Sequence, residues 1–193
     1  HRRNQWLPHT DSIGTFSATP KALALEHAGL FASHQLPVFD PFCGIGSDSI
    51  AFAKAGLHVL AADTDAHRLS LAKKNAHAHR VSSNIQFHHQ DGLKCLEVWR
   101  NQHPSYLLYL DPPWGGRDWN RKGVGIVDIF PDPLTIRVAI QFAHRVIIKL
   151  PRSFRTDDLK QFSQKWNFDI GISNPNDHIA DRIRIIRATS QKY

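Results

Sequence analysis

Four short strand-like runs in this chain each stop at or just before an aspartate. They are Leu36 to Asp40, Leu57 to Ala62 before Asp63, Ile85 to His89 before Gln90-Asp91, and Tyr106 to Leu110 before Asp111. Each run has the length of a strand, and helix-like stretches separate them: Ser47 to Ala55, Asp65 to about His79, and Gly92 to Arg100. Parallel neighbours need a crossover long enough to hold a helix, so this alternation predicts an α/β domain with a mostly parallel sheet and helices on both faces. It also predicts that the acidic side chains gather along the carboxyl edge of the sheet, where open α/β sheets bind their ligands.

Local punctuation supports these boundaries. Gly56 stands where a left-handed helix cap is needed, and Asp65 is placed to cap the helix that follows it. The fourth strand must end at Pro112-Pro113, because proline has no N–H for a central ladder. Beyond a Gly- and charge-rich loop (Gly115 to Pro131), Leu134 to Ala143 reads as a helix and Arg145 to Leu150 as a strand stopped by Pro151. Thr156 to Lys165 reads as a further helix. Phe168 to Ile172 and Arg182 to Ala188 read as two last strands, with no helix between them, which predicts an antiparallel hairpin. The 193 residues suit one core, with no second domain: residues 16–193 form the domain and the polar residues 1–15 an N-terminal arm. The first residue is His1 rather than Met, as in a domain of something longer.

The net charge of +7 favours a polyanionic partner such as RNA or a nucleotide, through release of its condensed counterions. No apolar run is long enough to span a membrane. Two lone cysteines, Cys43 and Cys95, make no disulfide framework, so a reducing, intracellular compartment is expected, cytoplasmic or nuclear. The histidines lack clustered Cys or acidic partners at ligand spacing, and no metal is expected. The protein is expected to be a monomer.

The run Asp40-Pro41-Phe42-Cys43-Gly44-Ile45-Gly46 leaves the first strand and enters a helix. Its glycines let the backbone approach a ligand closely, and the helix start offers free N–H groups that suit a carboxylate. Asp63, with Thr64 after it, ends the second strand, where an acidic side chain accepts both hydroxyls of a ribose. That need is common to NAD and to S-adenosylmethionine. The full dinucleotide fingerprint is absent, since Ser49 holds its third glycine position. Asp91 ends the third strand, where it is placed to accept from an adenine amino group.

The fourth strand ends in Asp111-Pro112-Pro113-Trp114-Gly115-Gly116, the most specific feature of the chain. An exocyclic amine of a nucleobase is a poor nucleophile, because its lone pair is delocalised into the ring. Acceptors on a rigid turn localise that lone pair toward an incoming methyl group. The Asp111 carboxylate and the Pro112 carbonyl supply two acceptors, and the paired prolines fix the turn. Trp114 offers a plate on which a base stacks, and the glycines leave room for the target. A sulfonium methyl is already activated, so alignment and desolvation matter more than a strong base.

These motifs resemble the trimethylguanosine synthase family of RNA cap guanine-N2 methyltransferases, over about Gly14 to Arg187. Five ordered segments carry the resemblance: Phe16-Ser17-Ala18-Thr19-Pro20, Asp40 to Gly46, Asp63-Thr64-Asp65, Pro112 to Gly116, and Leu150-Pro151-Arg152. It implies a Rossmann-like class I fold with a seven-stranded sheet, and S-adenosylmethionine as methyl donor. It also implies that Phe16, Thr19 and Pro20 help enclose the cofactor, and that Trp114 stacks on 7-methylguanine. Asp111 departs from the serine usual in cap enzymes and resembles the Asp-Pro-Pro-aromatic motif of N6-adenine and other amino methyltransferases.

The expected activity is methyl transfer to the N2 amine of guanine in RNA, capped or not. Adenine-N6, or a guanosine of ribosomal or transfer RNA, is the alternative acceptor. An NAD-dependent oxidoreductase and a non-catalytic RNA-binding module are the rival classes. Gly115, Gly116 and Arg117 past the turn, and Lys149 and Arg152 at the fifth strand end, are placed to bind substrate, the cations by holding phosphates.

Overall fold

The computed structural model describes residues 6–114, 124–130, 132–151, 153–155, 157–158, 166–172 and 183–190. The chain divides into two units, His1–Leu107 and Leu108–Tyr193.

In the first unit the strands β1 (Val38–Asp40), β2 (Val59–Asp63) and β3 (Ile85–His89) lie in the order β3-β2-β1, and both pairs are parallel. Asp40 pairs with Ala61 and Asp63 with His89, so the three carboxyl ends share one edge. The helices α3 (Ser47–Lys54), α4 (Ala66–Ala78) and α5 (Gly92–Gln102) fall within two residues of the sequence-predicted ends. Asp65 caps α4, accepting from the N–H groups of His67 and Arg68. Gly56 has φ +85 just past the end of α3.

Two helices precede β1 that the strand-helix alternation does not reveal. Helix α1 (Ser12–Ser17) is capped by Asp11, and α2 (Lys21–Phe31) follows Pro20 directly. Helix α2 buries Leu23, Ala24, His27, Ala28 and Phe31, but Leu25 stays 42% exposed, so its apolar residues mark no clean face. Its end packs on α3 through stacked Phe31 and Phe52 rings, 5.4 Å apart. On the sheet, Phe39 stacks on Tyr106 at 4.2 Å and meets Trp99 at 5.3 Å. Fully burying such rings contributes about 1.5–3 kcal/mol each. The N-terminal stretch also packs. Leu7 is buried, the His79 ring meets the Trp6 carbonyl oxygen, and Asn75 exchanges hydrogen bonds with both backbone groups of His9.

The second unit is built around β4 (Leu107–Leu110), β5 (Arg145–Pro151), β6 (Trp166–Ile172) and β7 (Ile183–Ser190), in the order β4-β5-β7-β6. Strand β7 pairs antiparallel with both β5 and β6. The short helix α6 (Ile126–Ile129) and the helix α7 (Pro133–Phe142) connect β4 to β5. Asp132 caps α7, and Pro133 sits at its first turn, where a missing N–H costs nothing. Most of the helix expected over Thr156 to Lys165 lies outside the described residues.

Candidate active site

Three loops leave the carboxyl edge of the first unit, and hydrogen bonds tie them together. Asp63 is the knot. Its Oδ2 accepts from the Gly44 N–H at 2.8 Å and its Oδ1 from the Asp65 N–H at 2.8 Å. The Cys43 N–H donates to the Ala62 carbonyl, and the Gly46 N–H turns back to the Cys43 carbonyl. The Gln90 N–H reaches the Asp63 carbonyl at 3.2 Å, and the His89 ring lies 3.1 Å from the Thr64 carbonyl oxygen. Asp91 caps α5 by accepting from the Leu93 N–H at 2.9 Å. Asp91 thus caps a helix, and Asp63, expected to accept ribose hydroxyls, also braces the glycine loop.

Asp40 is buried, and its Oδ2 accepts the Ser49 hydroxyl at 2.5 Å. Ser49, which breaks the dinucleotide fingerprint, thus anchors α3 to the end of β1. Gly44 has φ +53, a conformation L side chains rarely adopt, and a Cβ there would enter open space. Phe42 is half-buried and Thr64 exposed beside this opening. Burial, then the charges of Asp40 and Asp63, push the Cys43 thiol well above its ordinary range, so it stays protonated and is no nucleophile.

Of the segment Phe16 to Pro20, Phe16 and Ser17 lie in α1, Thr19 is buried and Pro20 leads into α2. Helix α1 is set against the glycine loop, since a Cβ on Gly14 would come within 2.9 Å of the Ile45 side chain. Asn75 donates to the Ile45 carbonyl at 3.0 Å and so links the loop to the N-terminal stretch. Beneath the loop, His27 Nδ1 lies 2.8 Å from Asp48 Oδ1, and both side chains are buried. Asn75, His27 and Asp48 escape sequence reasoning. The one signal for the last two is a histidine among the apolar positions of α2. A separate cleft of about 730 Å³ opens at the other edge of the sheet, lined by Gln35, His58, Asn84 and His103 among others.

The second unit carries the turn Asp111-Pro112-Pro113-Trp114. Pro112 is buried, Pro113 exposed and Trp114 half-buried. Lys149 Nζ donates to Asp111 Oδ2 at 2.6 Å, and the Trp114 indole N–H donates to the Lys149 carbonyl at 3.3 Å. Lys149 is 2% exposed. Expected to hold a phosphate, Lys149 instead has its ammonium turned inward onto the Asp111 carboxylate. Gly115, Gly116, Arg117 and Arg152 lie outside the described residues. Arg155 pairs with Asp158 at 3.3 Å, and Asp158 also accepts from the Ile126 N–H. Among the described residues no group of three His, Cys, Asp or Glu could hold a metal.

The model of the family described as RNA cap guanine-N2 methyltransferase matches residues 36–176, more than half of the chain. The chain belongs to that family. The match takes in the glycine loop, Asp63, Asp91, the Asp111 turn and Lys149, and begins after Phe16, Thr19 and Pro20. Trimethylguanosine synthase of Saccharomyces cerevisiae is 27% identical over 158 residues, 77% of this chain and 49% of its own length. The chain spans half or less of the curated relatives it matches.

Solved structures agree on the fold. A SAM-dependent methyltransferase from Agrobacterium tumefaciens superposes with a TM-score of 0.64 at 14% identity, over 91% of this chain and 64% of that one. Magnesium protoporphyrin IX methyltransferase from Synechocystis, solved with bound SAM, gives 0.60 at 16% identity, over 89% and 79%. This cap guanine-N2 family member therefore has the Rossmann-like methyltransferase fold of parallel sheet and helices.

Proposed function

We propose that this chain is the catalytic domain of an S-adenosylmethionine-dependent RNA methyltransferase that modifies the exocyclic N2 amine of guanine. The observation that carries the reading is the Asp111-Pro112-Pro113-Trp114 turn at the end of β4, in a chain of the cap guanine-N2 family. We read residues 16–193 as one methyltransferase domain, preceded by residues 1–15.

The first unit fits the cofactor. The open space at Gly44 and the shared edge of Asp63 and Asp91 suit a nucleoside with a charged tail. When bound, S-adenosylmethionine supplies a methyl group on a positive sulfur. Asp63 would hold the ribose hydroxyls with the lone pairs its two backbone bonds leave over, because a carboxylate has about four acceptor positions. Phe42, Cys43, Gly46 and Thr64 would line the cofactor, with Phe16, Thr19 and Pro20 enclosing it. Asp40 would act by holding α3 in place.

On the acceptor side, Asp111 and the Pro112 carbonyl would take the two amine hydrogens and Trp114 would stack on the base. Gly115 and Gly116 would admit it, and Arg117 and Arg152 would hold phosphates. Asp111, where cap enzymes carry serine, favours a second acceptor: adenine-N6, or a guanosine of ribosomal or transfer RNA.

The test is to incubate capped and uncapped RNA with methyl-labelled S-adenosylmethionine and resolve the nucleosides by mass spectrometry. Label in N2-methylguanosine is the expected result. Label in N6-methyladenosine moves the acceptor. Cofactor binding with no label in any nucleoside removes the catalytic reading.

A further inference from the structure

We infer that Lys149 is a positioning residue of the acceptor turn: its ammonium sets the Asp111 carboxylate and its carbonyl the Trp114 indole in the arrangement that receives the target amine. The inference rests on the proposed role of Asp111 as an acceptor for that amine.

Strand β5 is apolar around this lysine, with Val146, Ile147, Ile148 and Leu150 each at most 2% exposed. Lys149 itself is 2% exposed, and its side chain 3%. Burying an ammonium carries a large desolvation cost, and an apolar side chain of similar volume would serve the packing as well or better. The charge therefore answers to something other than stability.

Its partner is Asp111, 2.6 Å away, whose side chain keeps 20% of its exposure. An ammonium on Oδ2 leaves the carboxylate further acceptor positions. It also holds that carboxylate turned one way, as a hydrogen-bond acceptor. The same residue meets Trp114 twice. Its carbonyl takes the indole N–H at 3.3 Å, and Nζ lies 5.8 Å from the ring centroid, within cation–π reach. One residue thus sets both the hydrogen-bond acceptor and the stacking plate.

The charges at positions 111 and 149 should then be coupled. With serine at 111 there is no anion for a buried cation to answer. A double-mutant cycle of Lys149→Met and Asp111→Ser tests this, using single-turnover methylation of the RNA that the wild type modifies, RNA and cofactor affinity, and melting temperature. Lys149→Met is expected to slow methyl transfer about tenfold in the wild-type background, and to change it little or raise it beside Asp111→Ser. Cofactor affinity should stay within about twofold, since the cofactor loops contain neither residue. The salt dependence of RNA binding should be unchanged, whereas loss of a phosphate contact would lower its log–log slope by about 0.7.

An equal loss in both backgrounds, a wild-type rate in Lys149→Met, or a reduced salt slope overturns the inference and leaves the proposed function standing. A wild-type chain that methylates no base amine overturns both. Should Lys149→Met alone not fold, the double variant decides. It is expected to melt higher than Asp111→Ser and to be at least as active, and a lower value of either overturns the positioning role.

Discussion

In the proposed function Asp63 would do two jobs with one carboxylate. It braces the glycine loop and the start of α4 through the N–H groups of Gly44 and Asp65, and it stands at the edge where a ribose would sit. Asp63→Ala is therefore expected to weaken S-adenosylmethionine binding by about 1.5–3 kcal/mol, the scale for hydrogen bonds to a charged group. Isothermal titration calorimetry measures it. Asp63→Asn, with one acceptor oxygen in place of two, should fall between the wild type and the alanine variant. Unchanged affinity in a folded alanine variant would remove Asp63 from the site. Lys149 shows the opposite economy: two groups of one residue act on one turn. A lysine in the middle of Val-Ile-Ile-Lys-Leu-Pro is visible in the sequence, but whether it faces water or a carboxylate is decided only by its neighbour 38 positions away.

At the level of elements, the start of α5 is set by how closely it approaches the glycine loop. A Cβ on Gly92 would lie 1.9 Å from the Pro41 carbonyl oxygen and 2.5 Å from Pro41 Cβ. Backbone, not the end of a flexible side chain, stands in the way. Gly92→Ala must therefore push α5 from Pro41 and disturb the loop that leads to Gly44. It is expected to cost about 1–3 kcal/mol, the range for overpacking, and to weaken cofactor binding with it. Gly29→Ala is the matched control. It sits in α2 with nothing within 4 Å of the added atom, and should be neutral or stabilising by up to about 1 kcal/mol. Urea unfolding midpoints separate the two. Equal midpoints for Gly92→Ala and the wild type would show that the loop and helix are not in close contact.

For the molecule as a whole, charge is the readable property. A net +7 should make binding to RNA salt-dependent, with a log–log slope of about −0.7 for each phosphate neutralised on a single strand. Fluorescence anisotropy across a salt series measures it, and a flat response would mean a nucleotide or small-molecule substrate. Among the described residues no helix is long and apolar enough to cross a membrane.

The sequence by itself determined the alternation of strands and helices that follows β1, the edge along which Asp40 and Asp63 gather, and the caps at Gly56 and Asp65. Strand β3 falls on the predicted residues, and Asp65 and Gly56 cap as their types require. Those features are local: period, turn chemistry and capping act within a few residues. Helix α2 escaped because its apolar residues lie on more than one side and its burial depends on α3. Tertiary structure alone decided which partner each polar group takes. It joined His27 to Asp48, gave Asp40 to Ser49, and closed Lys149 onto Asp111. Such pairs form between residues far apart in the chain, and burial sets their worth, because an unmatched charge or hydrogen-bonding group away from water costs more than a matched one returns.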